Sequence, residues 1–226
     1  RELGEETLKN AIRTRHPETI LRTGNFLTVV QSAESYELMR EKNYFGAISK
    51  YREIARTFDS MPLKDAKGKN AVMLYGNQAA NYLNIVHASG LLGIKKLDME
   101  LDLAYDAVIN VNLFIESLDN LQDKAVWTAN TEHVFGTVEK YKGNYNKAIE
   151  HYETALQANS GAEYDLQTAV IQASLAHALV SKPDPELKKA AEYLAPVEEF
   201  LKKHDFGIYD FHYGPLVKEI RDALKD

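Results

Sequence analysis

Three asparagines have the type and spacing to bind the main chain of another protein. Asn77, Asn81 and Asn84 stand at positions i, i+4 and i+7, which places them on one ridge if residues 69–91 form a helix. Asparagine is a weak helix former, so its repeated use on one ridge needs a compensating interaction. Its amide both donates and accepts hydrogen bonds, which suits the backbone of an extended peptide. The ridge therefore predicts a binding surface; the alternatives are hydrogen bonds to neighbouring segments of the same chain, or exposure to water.

Catalytic chemistry has little support in the sequence. No Gly-x-Ser-x-Gly elbow, phosphate-binding loop or His-Glu-x-x-His motif is present, and the chain contains no cysteine. Most histidines are scattered over different predicted helices, with no serine or carboxylate at a spacing that implies a catalytic partner: His16, His87, His133, His151 and His177. We therefore predict a protein that is not an enzyme and that needs no cofactor.

Residues 204–215 combine aromatic side chains with potential metal ligands. His204, Asp205, Asp210 and His212 belong to types that bind metals, yet their spacing matches no standard zinc site. The aromatic residues of the same segment instead predict that it docks the final helix onto the rest of the chain. We predict no metal site.

Charge and hydropathy exclude two classes of partner. The net charge is −6, and the chain shows no basic field of the kind that nucleic-acid binding requires. No run of about 18 uncharged apolar residues is present, so no membrane span is expected. We predict a cytoplasmic protein. Because the chain begins at Arg1 and not at Met, the alternative that it is a periplasmic or extracytoplasmic fragment stays open.

The elements that would position these residues are predicted by an internal repeat. Residues 43–51 and 144–152 share Asn, Tyr, Ala, Ile and Tyr at the same places, and the two copies start 101 residues apart. This separation is close to three periods of about 34 residues, the length of one common repeat of paired helices. Small and apolar residues at i, i+4 and i+7 then mark four helices that pack closely on a neighbour. These stripes are Ala47, Tyr51 and Ile54; Ala107, Val111 and Phe114; Ala148, Tyr152 and Ala155; and Ala190, Leu194 and Val197.

The whole chain is predicted to be all-α. No period-2 apolar alternation continues over a useful length, and glycine and proline are few. We place helices at 3–15, 18–41, 44–58, 69–91, 96–118, 121–142, 145–159, 163–181, 185–203 and 212–225, with a loop at 59–68.

Residues 129–160 resemble a tetratricopeptide repeat. Phe135-Gly136 matches the first-helix pair of that family, Gly143-Asn144-Tyr145 the turn, and Ala148, Tyr152 and Ala155 the second helix. Residues 28–59 match more weakly, because Lys42 replaces the turn glycine and Ser35 the first-helix glycine. The resemblance implies a right-handed superhelix (an α-solenoid) of antiparallel helix pairs. It implies one domain over 1–226, with an N-terminal helix at 1–17, about four pairs at 18–204 and a capping helix at 205–226.

The same resemblance implies a protein- or peptide-binding scaffold, whose first helices line a concave groove. The residues that we expect to bind a partner there are Asn77, Asn81, Tyr82, Asn84, Asn130, His133 and Gln167. Two other functions stay open. The chain could be a sensor or regulatory domain of a longer signalling protein that responds to a peptide or small ligand. It could also be a structural subunit of an envelope or secretion assembly. Association of the chain into a homo-oligomer is a further possibility.

Overall fold

The protein is helical throughout the part of the chain that the structure describes. The computed structural model describes residues 2–14, 16–160, 166–207 and 210–225, and no strand occurs among them. The α-helices in this part are α1 (Glu2–Thr14), α2 (Pro17–Arg40), α3 (Tyr44–Asp59), α4 (Gly68–Leu91), α5 (Asp98–Ile115), α6 (Leu121–Tyr141), α7 (Tyr145–Ala158), α8 (Leu166–Ser181), α9 (Leu187–Leu201) and α10 (Asp210–Ala223). The all-α prediction is confirmed.

The helix ends follow the turn residues of the sequence. The largest difference from prediction is at the end of α5, expected at 118 and found at Ile115. The predicted first residues of α8, 163–165, lie outside the described part of the chain. A short 3₁₀ helix, Leu63–Asp65, lies within the predicted loop at 59–68.

The two copies of the repeated phrase are entered through the same backbone turn. Gly143 has a φ of 80°, and Lys42 occupies the equivalent place with a φ of 58°. The left-handed region costs a residue with a Cβ roughly 1–2 kcal/mol, and glycine escapes most of that cost. The turn geometry is therefore retained in the first copy at some cost in strain. Asn43 follows Lys42 and caps α3, because its Oδ1 accepts a hydrogen bond from the Gly46 amide at 3.0 Å.

The chain divides into two compact units, residues 1–118 and residues 119–226. In unit 1, each of α1 to α4 packs against the next helix along the chain, and α2 also touches α4. In unit 2, α6 to α9 pack in the same sequential way, α6 also touches α8, and α10 lies against α8 and α9. We call α2, α4, α6 and α8 the first helices, and α3, α5, α7 and α9 the second helices. The single repeat domain over 1–226 stays a prediction.

The four apolar stripes form the packed faces of the second helices. All their side chains are buried except Phe114, which is partly buried. Burying a large apolar side chain stabilises the fold by about 1.5–3 kcal/mol relative to leaving it in water. The alanines of each stripe let the neighbouring helix approach closely, so the stripe both stabilises the pair and sets its separation.

α6 and α7 are in close contact at Gly136. A Cβ atom added there would lie 2.7 Å from the ring of Tyr152 and 3.0 Å from the carbonyl oxygen of Ala148. Real side chains do not tolerate such distances, so this contact requires glycine. The hydroxyl of Tyr152 lies 3.1 Å from Thr137 Oγ1, which satisfies a polar group inside the pair.

Unit 2 ends in an aromatic cluster. Phe206 is fully buried, with its ring centroid 5.3 Å from that of Tyr213 and 6.3 Å from that of Phe200. Through this cluster the segment after α9 docks α10, as the sequence predicted. Ile208 and Tyr209, which belong to the same segment, lie outside the described residues.

Candidate functional site

The asparagine ridge lies on α4 in unit 1, and its members have different surroundings. Asn77 Nδ2 donates to Asn25 Oδ1 at 3.1 Å, which links the first helices α4 and α2. Asn81 is only 4% exposed, and its Nδ2 donates to the carbonyl oxygen of Tyr51 at 2.9 Å. Asn84 is partly buried. The open surface that a ligand would contact is therefore limited to Asn77 and Asn84, whereas Asn81 ties α4 to α3.

Tyr82 lies inside the same unit. It is 6% exposed, and burial is the main reason that its pKa is raised, with the charge of Asp59 adding to the effect. Tyr82 therefore packs between helices and leaves little of its surface for a partner.

Replacement of Asn81 by alanine should destabilise unit 1. The change leaves the Tyr51 carbonyl without its side-chain donor in a buried environment, which costs about 2 kcal/mol. The control is Asn84→Ala, the same chemical change one turn along the helix, with an expected effect below about 0.5 kcal/mol. Hydrogen exchange of the α4 amides measures both effects. Equal protection in the two variants would show that the Asn81 hydrogen bond does not hold α4 on α3.

The second set of predicted residues comes together in unit 2. Gln167 Nε2, on α8, donates to Asn130 Oδ1, on α6, at 2.9 Å. His133 Nε2 lies 3.0 Å from Ser174 Oγ, again between α6 and α8. We call these four side chains the α6–α8 wall. The first helices of unit 2 are thus joined by polar side chains, whereas the second helices pack through apolar ones.

The two amide side chains of the α6–α8 wall have donor hydrogens and lone pairs that their mutual hydrogen bond does not use. Asn130 and Gln167 are both partly exposed. An amide side chain has two donor hydrogens and an acceptor oxygen with two lone pairs. The contact between these two residues uses one donor of Gln167 and one lone pair of Asn130, and a long contact of 3.5 Å from Gln167 Nε2 reaches the Val126 carbonyl. The remaining groups can bind another chain while the existing hydrogen bond holds both side chains in place.

Two serine–histidine contacts in unit 2 lack the geometry of a catalytic pair. Ser174, beside His133, is 3% exposed, so its hydroxyl cannot reach a substrate. Ser181 Oγ is 3.5 Å from His177 Nε2, and Glu219 Oε2 is 3.1 Å from that same nitrogen. A catalytic triad needs the nucleophile and the orienting acid on opposite nitrogens of the ring. The His133–Ser174 contact therefore joins α6 to α8 and the His177–Glu219 contact joins α8 to α10, whereas Ser181 and His177 both lie on α8.

The sequence analysis expected a binding role for His133 but not for three ionisable side chains that interact with it or with one another: Lys140 on α6, His177 on α8 and Glu219 on α10. We call these four side chains the Lys140 cluster. Burial lowers the pKa of Lys140 to about 8, an effect that the Glu219 carboxylate partly offsets. Burial, and then the charge of Lys140, lower the pKa of His133 and of His177 to about 4. At neutral pH the imidazoles of His133 and His177 are therefore neutral, and Lys140 carries a positive charge.

Part of this cluster had a signal in the sequence. Lys140 follows His133 by seven residues, so both lie on the same ridge of α6. Continuing the predicted ridge by two turns beyond His133 would have included Lys140. His177 and Glu219 join the cluster only through the packing of α8 and α10, for which the sequence has no comparable signal.

No protein-family model and no curated protein sequence matches this chain. In the described part of the chain, no three His, Asp or Glu side chains converge as metal ligands. Nor does any helix in that part have the length and apolar character to cross a bilayer. The resemblance to tetratricopeptide repeats stays a prediction.

Proposed function

We propose that the protein is a non-catalytic scaffold that binds a protein or peptide partner along its first helices. The observation that carries this proposal is the α6–α8 wall. Its amides are partly exposed, held in place by each other and only partly used in hydrogen bonding. Because their side-chain positions are already restricted, a bound segment would not bear the full entropic cost of ordering them.

The proposed architecture is a tetratricopeptide-like right-handed superhelix, in which the first helices form the concave side. Two features support it: the sequential packing of helix pairs within each unit, and the direct contact between first helices. In this arrangement Asn130, His133 and Gln167 face an extended peptide in unit 2, and Asn77 and Asn84 do so in unit 1. Amides facing a peptide backbone would recognise main chain more than particular side chains.

The proposal is tested with peptides selected from a displayed random library against the full chain. The double substitution Asn130→Ala with Gln167→Ala should weaken binding of the selected peptides about tenfold, equivalent to about 1.4 kcal/mol. Calorimetry measures the affinity, and the fluorescence of Trp127 reports whether unit 2 is still folded, because Trp127 lies in α6 and is the only tryptophan.

The matched control is Asn146→Ala, which removes an exposed amide from the second helix α7. It should leave the affinity unchanged. Selected peptides that bind the double variant as tightly as the unchanged protein would contradict the proposed site, and failure to select any peptide would contradict the proposed function.

A further inference from the structure

We infer that the exposed side of α5, in unit 1, is a docking surface for a basic amphipathic helix of another protein. Six exposed side chains define this surface, which we call the α5 face: Met99, Asp102, Leu103, Asp106, Ile109 and Leu113. The inference goes beyond the proposed function, because the α5 face lies on a second helix and shares no residue with the α6–α8 wall.

α5 exposes large apolar side chains on the side opposite to its packed side. Its buried residues all lie on one side of the helix, and its main packing neighbour in unit 1 is α4. On the other side, Met99 and Leu113 are 67% and 69% exposed, and Leu103 and Ile109 are exposed between them. At a rise of about 1.5 Å per residue, these four side chains extend over about 21 Å of the helix.

The other second helices do not share this property. α3 and α9 each expose one large apolar side chain, Phe45 and Leu187, and α7 exposes none; all three helices lie wholly within the described part of the chain. Single exposed apolar residues are common on protein surfaces, whereas a group of them on one side of a helix is typical of a surface that binds another protein. The apolar group on α5 therefore indicates an interaction surface.

The charge of α5 decides which kind of partner fits this surface. Residues 98–116 contain five acidic side chains and no lysine, arginine or histidine. Because Asp102 and Asp106 are exposed beside the apolar side chains, a segment with lysine or arginine next to its own apolar residues is complementary to the α5 face. Long basic side chains can pack their aliphatic stems on the apolar residues while their charged ends reach the carboxylates.

The same charge disfavours two other occupants of the α5 face. A second copy of this chain, bound through the same face around a twofold axis, would bring the two sets of carboxylates together. The surface of an anionic bilayer would repel these carboxylates as well. A basic segment of a different protein meets neither cost.

The partner segment is expected to be helical, because α5 offers it side chains and no free row of backbone groups. The backbone groups of a helix bond to one another, so an extended strand would find no edge to pair with. Two helices instead pack by placing the ridges of one in the grooves of the other. Met99 with Leu103, and Ile109 with Leu113, are apolar pairs four residues apart that form such ridges.

The test uses a blocked peptide of leucine and lysine with 18 residues, the length of α5. Its leucines recur every three or four positions, which gives the helix one apolar side. A second peptide has glutamate in place of lysine, and a third has the composition of the first with leucine at alternate positions. Calorimetry with the full chain should show that the first peptide binds at least about tenfold more tightly than either of the others.

Two double variants locate this binding on the α5 face. Met99→Gln with Leu113→Gln removes the two most exposed apolar side chains and should weaken binding of the first peptide by about tenfold or more. Asp102→Asn with Asp106→Asn removes two carboxylates and should weaken it by about fivefold or more. All four positions are exposed, so far-UV circular dichroism should show an unchanged fold.

Each double variant has a matched control in unit 1 outside α5. Leu3→Gln with Phe45→Gln makes the same apolar-to-polar change at two exposed positions, and Glu6→Gln with Glu41→Gln removes two exposed carboxylates. Neither control should change the affinity for the first peptide. Equal weakening in a control and in its matched variant would overturn the assignment to the α5 face.

Other outcomes also separate the alternatives. Tight binding of the third peptide would indicate charge attraction only and would overturn the inference, as would failure of the first peptide to bind. Self-association of the full chain, or its binding to vesicles of phosphatidylcholine and phosphatidylserine, would overturn it if Met99→Gln with Leu113→Gln abolished that property. Peptides selected against the α6–α8 wall should bind the α5 variants with unchanged affinity, so loss of the α5 face leaves the proposed function intact.

Discussion

Gly136→Val is expected to lower the free energy of unfolding of unit 2 by about 3 kcal/mol or more. The new Cβ alone would lie 2.7 Å from the Tyr152 ring and 3.0 Å from the Ala148 carbonyl oxygen, and two methyl groups follow it. Tyr152 is fully buried, and the Ala148 carbonyl oxygen is part of the α7 backbone. Neither group can therefore move without separating α6 from α7. The gain in helix propensity on replacing glycine, below about 1 kcal/mol, is too small to compensate.

Denaturant unfolding monitored by Trp127 measures this effect within unit 2. The same substitution in a Tyr152→Leu background should cost less, because the smaller side chain leaves room beside Gly136. The control is Gly90→Val on α4, where an added Cβ meets nothing within 4 Å. By far-UV circular dichroism this control should change stability by less than about 1 kcal/mol. Equal losses for Gly136→Val in the two backgrounds would show that the Tyr152 ring does not set the separation of α6 and α7.

Acid should destabilise unit 2 through its partly buried histidines, His133 and His177. The folded-state pKa of His133 is lowered to about 4 from an ordinary value of 6.5, so the unfolded chain binds the proton more tightly. The stability that depends on neutral His133 is complete above about pH 6.5 and is lost as the pH falls through about 4. The difference in pKa corresponds to about 3 kcal/mol at full loss, and His177, with its pKa lowered to about 4, acts in the same direction.

The measurement is the free energy of unfolding of unit 2 between about pH 7 and about pH 4, again from Trp127 fluorescence. His133→Gln, which cannot take up a proton in this range, should reduce the pH dependence by about 3 kcal/mol over the interval. His204→Gln, an exposed histidine of the same unit, should leave the pH dependence unchanged. A His133→Gln variant with the same acid sensitivity as the unchanged protein would mean that His133 can be protonated without loss of packing.

Most of the fold could be predicted because its signals are local. A helix is stabilised by contacts between residues three or four positions apart, so Ala148, Tyr152 and Ala155 show their shared face in the sequence itself. Turn residues are also local signals, because each one sets the backbone conformation at its own position. Even Lys42, which departs from the glycine expected at that turn, takes up the left-handed backbone that Gly143 adopts in the other copy.

The candidate site was predicted less completely, because helical spacing shows which residues share a ridge and not what that ridge meets. Asn77, Asn81 and Asn84 were indistinguishable by spacing. In the structure, Asn81 is buried against the Tyr51 carbonyl, and Asn77 binds Asn25. Asn130 and Gln167, 37 residues apart, were each expected to contact a partner, and the structure adds that they also hold each other.

The sequence by itself determined the helices and the apolar stripes that pack them, whereas the need for glycine at position 136 follows from the Tyr152 contact in the structure. Only the tertiary structure decided that His177 contacts Glu219, because the rotation of α8 against α10 places them there. That rotation is set by side-chain packing across helices, whose partners are far apart in the chain. Lys140, which the sequence did not single out, thus carries a charge that lowers the pKa of two histidines, His133 on its own helix and His177 on α8.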